Sequence, residues 1–121
     1  MSTAPERSIL LVEDEPAVRQ LFAVALQRAG YRVHQARSGE EAVALFDAHP
    51  DVDLLLTDIR MPEMSGLELA RQLSARAPGL KVICISGYPG AGIDPVIANH
   101  YLAKPFSRDD LLAKVREVLG P

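Results

Sequence analysis

The chain has 121 residues, 48% of them hydrophobic, with a net charge of −3. That length supports one core, so a single domain over residues 1–121 is expected, its core running from about 8 to 119. The weak, mixed charge gives no footprint for direct nucleic-acid contact and no polybasic membrane patch.

Five apolar runs read as strands, with helical patterns between them. ILLV at 9–12 comes first. PAVRQLFAVALQRAG then puts Val18, Leu21, Phe22, Ala25 and Ala29 on one helical face, with Pro16 at its first turn and Gly30 at its stop. YRVHQA at 31–36 alternates and reads as a half-exposed strand. SGEEAVALFDAH opens on Ser38 with Glu41 three residues on, a capping-box pattern. LLLT at 54–57 is a continuous apolar run, as expected for a strand covered on both faces. SGLELARQLSARAPG carries Leu67, Ala70 and 73–77 on a stripe and stops at Pro78–Gly79.

VICIS at 82–86 is the fourth strand and holds the lone cysteine, Cys84. It reads as a small core residue; a single cysteine excludes an internal disulfide and fits a reducing compartment. GYPGAGIDPVIANH at 87–100 is rich in glycine and proline where a crossover helix should stand, so at most a short turn around Asp94–Asn99 is expected. YLA at 101–103 is the fifth strand. SRDDLLAKVREVLG closes the chain as a helix with Ser107 at its N-cap, Asp109 and Asp110 in its first turn, and a Leu111, Leu112, Val115, Leu119 stripe. The alternation implies an α/β fold, a doubly wound five-stranded parallel sheet with helices on both faces and a shortened or missing fourth helix. His34, His49 and His100 have no metal-ligand spacing and read as surface or strand-edge residues. No apolar run approaches the roughly 20 residues of a membrane span. The start, MSTAPERS, lacks a signal-peptide core. A cytoplasmic domain without membrane insertion and without an output domain after the last helix is expected, with a single-domain shuttle and a receiver taken from a longer protein both open.

Ligands of open parallel sheets bind beyond the carboxyl ends of the strands. Here the first strand ends on Glu13–Asp14, the third on Asp58, the fourth on Ser86 and the fifth on Lys104. Three acids, a hydroxyl and an ammonium would share one crevice. A buried apolar run that leads into an acid is costly unless the acid has a task. Carboxylates crowded together repel, and a hard divalent cation such as Mg2+ relieves them. Lys104 and Ser86 suit phosphate oxygens. The set describes phosphoryl transfer onto a carboxylate nucleophile. Taken singly, a strand-end Asp is more often a cap or turn residue, Asp14 reads as a cap of the Pro16 helix, and Lys104–Pro105 is a weak signal; the joint placement at successive strand ends carries the chemistry.

LLVEDEP, LLLTDIRMPEMSGLEL, ISGYP and YLAKPF together resemble the receiver domains of bacterial two-component response regulators, over Ile9 to Leu119. The resemblance implies the flavodoxin-like strand order 2-1-3-4-5. It implies that Asp58 is the phosphoacceptor and that Glu13 and Asp14 are the acidic pair for Mg2+. Arg60 would offer its backbone carbonyl to the metal. Ser86 would bond the phosphoryl group, with Gly87 small beside it, and Lys104 would bind phosphate. Tyr101 would be the switch aromatic that follows Ser86, Pro105 the cis-proline, and Pro62 and Gly66 the turn after Asp58. The donor would be a sensor histidine kinase or a histidine phosphotransfer protein. The chain would be a signalling domain rather than an enzyme, catalysing only its own phosphotransfer and a slow autodephosphorylation.

SGYPG with KPFS is similar to receivers of hybrid sensor kinases. Lys104 follows Ser86 by 18 residues, about one helical turn (~3.6 residues) short of the family spacing. Arg60 and Tyr88 are bulky neighbours of an attacking water's path and are expected to slow hydrolysis of the acyl phosphate. Two alternatives share this chemistry or fold. A haloacid dehalogenase-type phosphatase needs a second Asp two residues after the nucleophile, where this chain has Arg60. A phosphorylation-independent interaction module would not need the full set of acids, Ser86 and Lys104.

Overall fold

The structure, a computed structural model, describes residues 7–61, 63–86 and 100–120. Five parallel strands form one sheet: β1 (Ser8–Val12), β2 (Arg32–Ala36), β3 (Leu54–Asp58), β4 (Lys81–Ser86) and β5 (His100–Ala103). Their order is β2-β1-β3-β4-β5, the order expected from the sequence. Four helices lie among the described residues: α1 (Pro16–Arg28), α2 (Gly39–Ala48), α3 (Gly66–Arg76) and α4 (Arg108–Leu119). The segment 87–99, where a reduced crossover helix was expected, lies outside the described residues, as do Pro62, Gly87 and Tyr88.

Each central strand feeds two cores, because alternate side chains point to opposite faces. Ile9, Leu11, Leu54, Leu56, Ile83 and Ile85 meet α1 and α4 through Leu26, Leu111 and Val115. Leu10, Val12, Leu55, Val82 and Cys84 meet α2 and α3 through Phe46, Leu69 and Leu73. The sheet is thus dry on both faces at its centre, which is why LLLT shows no alternation. Burial pushes the Cys84 thiol up to about 12, so it stays protonated and inert.

The helix ends follow local chemistry. Ser38, Ser65 and Ser107 each accept the backbone N–H of the residue three positions on. Ser107 and Asp110 complete a capping box. At α2 the expected box is half made: Glu41 takes the N–H of Arg37, one residue before the cap, at 2.9 Å. Gly30 ends α1 at φ +101°, a backbone open to glycine at no steric cost.

One helical face differs from expectation. The buried arc of α1 centres on Ala23, Ala25 and Leu26, and Leu21 lies outside it, 66% exposed. The helix is rotated because its packing partners are Phe106 and the α4 stripe; Phe22 meets Phe106 at 5.2 Å between ring centroids. On α3 the expected stripe meets the core, with Ala70 and Leu73 buried and Leu67 and Ala77 packed against them, and Leu69 is buried beside it.

Candidate functional site

Parallel registration brings the strand ends to one edge. Asp58 pairs with Ile85 and Ser86 with Ala103. Beyond this row, the Lys104 N–H donates to the Ser86 carbonyl at 2.9 Å, and the Ile59 N–H to the Ile85 carbonyl at 3.0 Å. The ends of β3, β4 and β5 are therefore tied together by backbone bonds before any side chain is considered. The Lys104–Pro105 peptide bond is cis.

Asp58 is buried, yet both carboxylate oxygens have donors. Oδ1 accepts the Arg60 backbone N–H at 3.0 Å, and Oδ2 accepts Lys104 Nζ at 2.9 Å. The Thr57 hydroxyl donates to the Asp58 carbonyl at 3.0 Å. Gly66 donates to the Ile59 carbonyl at 2.9 Å. A Cβ at Gly66 would collide with the Asp58 carbonyl oxygen and stand 2.9 Å from Ile59 Cα. Glycine is required there so that the start of α3 can close over the end of β3.

Glu13 and Asp14 enter from the β1–α1 loop. Ligand oxygens of Glu13, Asp14 and Asp58 lie within 4.8 Å of one another. Asp14 is exposed, whereas Glu13 is 3% exposed. Glu13 Oε2 accepts the Glu15 N–H at 3.2 Å. Glu13 Oε1 is buried without a hydrogen-bond partner among the described residues. Lys104 Nζ stands 3.9 Å from it, close enough for Coulomb attraction and too far for a hydrogen bond.

Charges in the crevice respond accordingly. Burial raises the Glu13 carboxyl to about 7; the Glu15 N–H opposes this, and the neighbouring Asp58 and Asp14 reinforce it. Burial alone would lower the Lys104 ammonium, but its bond to Asp58 and the field of the three acids outweigh that and raise it. The site is short of positive charge at Glu13. An orphaned buried carboxylate oxygen facing two further carboxylates is, among the described residues, an all-oxygen donor set that fits a hard cation such as Mg2+.

Tyr101 turns its ring toward this edge: its hydroxyl donates to the Ser86 carbonyl at 3.0 Å. Ser86 itself is buried at the end of β4. The exposed side chain of Arg60 stands where a phosphatase of the alternative class would carry its acid. A separate groove of about 400 Å³ between β5 and α4, lined by Tyr101, Pro105, Phe106 and Lys114, does not reach the acids.

Two features escaped the sequence. Arg19, on α1, donates from Nη1 to the Glu13 carbonyl at 2.8 Å; its place on the half-buried face next to the acids was the only available hint. His34 and His49, 15 residues apart, stack with ring centroids 4.1 Å apart and planes at 19°.

A family model described as the response regulator receiver domain matches residues 9–116. The chain belongs to this family. The receiver fold and its phosphoacceptor part in two-component signalling follow from that membership. The sensor kinase CckA of Brucella abortus is 42% identical over 117 residues, covering 93% of this chain and 12% of that protein. The receiver protein CpdR of the same organism is 37% identical, covering 93% of this chain and 97% of that protein. The chain thus spans a small part of one relative and nearly all of the other. Among solved structures, the response regulator TrrA of Thermotoga maritima, in complex with Mg2+–BeF, has a TM-score of 0.85 at 36% identity, covering 93% and 99% of the two chains.

Proposed function

We propose that Asp58 is the phosphoacceptor of this receiver domain and takes its phosphoryl group from a phosphohistidine on a sensor histidine kinase or histidine phosphotransfer protein. The supporting observation is the setting of Asp58: a buried carboxylate at a strand end, held by Lys104 and the Arg60 N–H, beside two further acids. In the transfer, an Asp58 carboxylate oxygen bonds to phosphorus as the phosphorus–nitrogen bond of the donor histidine breaks. The electron pair returns to the imidazole, and the product is an acyl phosphate. The strand fixes the attacking oxygen, which is most of what such a reaction asks of a protein.

Glu13, Asp14, Asp58 and the Arg60 carbonyl would hold Mg2+. Bound there, Mg2+ supplies charge neutralisation for the phosphoryl oxygens. Lys104 leaves its bond to Asp58 for a phosphoryl oxygen, keeping its charge throughout. The Ser86 hydroxyl donates to another oxygen. Tyr101, whose hydroxyl donates to the Ser86 carbonyl, would follow a shift of Ser86 and report it at β5. Arg60 shields the acyl phosphate from water and makes autodephosphorylation slow. No helix among the described residues is long and apolar enough to cross a membrane. We place the domain in the cytoplasm, where such donors act.

The reading is tested with a small histidine phosphotransfer protein carrying labelled phosphohistidine. Label should move to the wild-type chain with Mg2+ and be released by hydroxylamine, which cleaves acyl phosphates. Label that stays on the donor, under conditions where another receiver accepts it, would favour an interaction module on the same fold.

A further inference from the structure

Arg19 lies in the second turn of α1, half-buried, six residues after Glu13. Its Nη1 donates to the Glu13 carbonyl at 2.8 Å. The rest of this loop is also pinned. The Glu13 N–H bonds to the Ala36 carbonyl at 3.1 Å, and the Arg19 N–H to the Glu15 carbonyl at 2.9 Å. The peptide plane joining Glu13 to Asp14 is therefore held through its oxygen by the guanidinium. Turning that plane would re-aim both side chains.

The choice of partner is informative. Glu13, Asp14 and Glu15 are all close in sequence, yet among the described residues no carboxylate lies within ion-pair distance of Arg19. A guanidinium beside acids ordinarily takes a carboxylate in a fork. Here it takes a neutral carbonyl and leaves the carboxylates open, one of them with an orphaned oxygen. We propose that Arg19 is a positioning residue for the cation pocket: it fixes the Glu13–Asp14 peptide and so the aim of both carboxylates. The proposal rests on the reading of Glu13, Asp14 and Asp58 as a Mg2+ site.

Positioning and simple charge predict opposite signs, so the test is sharp. A nearby positive charge repels a cation, and its removal alone would tighten Mg2+ binding, by an amount that salt screens. Loss of an outer partner that orients ligands weakens metal binding, typically about 10- to 100-fold. Mg2+ is titrated into the wild type, Arg19→Ala, Arg19→Lys and Arg19→Gln, followed by calorimetry and by backbone amide shifts. Melting curves without Mg2+ show which variants are folded. Arg19→Ala is expected to bind about tenfold more weakly. Arg19→Lys, which keeps a donor of similar reach, should recover much of the loss. Should Arg19→Ala not fold, the order Arg, Lys, Gln from tightest to weakest carries the same claim. Equal or tighter binding by Arg19→Ala or Arg19→Gln, with the wild type binding normally, would overturn the positioning role. A wild type that does not bind Mg2+ would overturn the underlying site instead, and the proposal with it.

Discussion

Lys104 Nζ and Asp58 Oδ2 are 2.9 Å apart, across the end of the intervening strand β4. The pair is lopsided: the Asp58 side chain is 9% exposed and that of Lys104 38%. The lysine is therefore the partner that can leave, and the aspartate is the one that needs it. Lys104→Met should lower stability at neutral pH by about 1–2 kcal/mol, less than for a fully buried pair because the ammonium is half in water. Urea unfolding measures this. The loss should largely vanish in an Asp58→Asn background; an undiminished loss there would mean that Lys104 stabilises the fold by other contacts.

Gly66→Ala places a methyl group against the Asp58 carbonyl, which is backbone and cannot swing away. A drop of about 1–3 kcal/mol is expected, as for other overpacked sites. Gly79→Ala is the control, since nothing lies within 4 Å of a Cβ there. Equal melting temperatures for the two variants would show that the β3–α3 junction is not tight.

His34 gives a pH dependence of defined sign. Burial, then the neighbouring His49 and Arg32, lower its proton affinity below the ordinary histidine value of 6.5, with Asp51 opposing. A histidine depressed in the folded state binds its proton more weakly than in the unfolded chain. Its contribution is present above 6.5 and is lost as pH falls through the lowered folded value. Glu13 acts oppositely: its raised carboxyl favours the fold below 4.5, and that contribution is lost as pH rises through about 7. Comparing His34→Phe with wild type isolates the histidine. Between pH 7.5 and 5.5 the wild type should lose more stability than the variant, read from urea midpoints; parallel profiles would refute the claim.

Much of this was legible in the sequence because it lies on strands. ILLV, LLLT and VICIS announce a sheet covered on both faces, and each ends on a residue that the fold brings to the crevice. Parallel order alone moves Glu13, Asp58, Ser86 and Lys104 to one edge. What escaped depends on how the helices turn. Spacing sets Leu21 on the buried face of α1, but the packing of Phe22 on Phe106 rotates it into solvent. Arg19 bonds a backbone carbonyl, which leaves no mark in residue types. The stacking of His34 on His49 joins an edge strand to the C-cap of α2, a contact that no short spacing announces. Glu41 reached past the N-cap to Arg37, one residue further than the capping-box pattern specifies.

Divalent cation should stabilise the fold, since the orphaned Glu13 oxygen and its two neighbouring acids lose their repulsion. With Mg2+ at a hundredfold excess over its Kd, the gain is about 2.7 kcal/mol, and a chelator reverses it. Asp14→Asn should show a much smaller rise in melting temperature, although Asp14 is exposed and its loss leaves the core untouched. An equal rise in both proteins would place the cation elsewhere.

The most direct test of the central claim is the intact mass of the chain after incubation with acetyl phosphate, with and without Mg2+, for wild type and Asp58→Asn. The account predicts a gain of one phosphoryl group in the wild type only, and only with Mg2+. A gain of the same size in Asp58→Asn would contradict it, because the phosphoryl group would then sit on another residue.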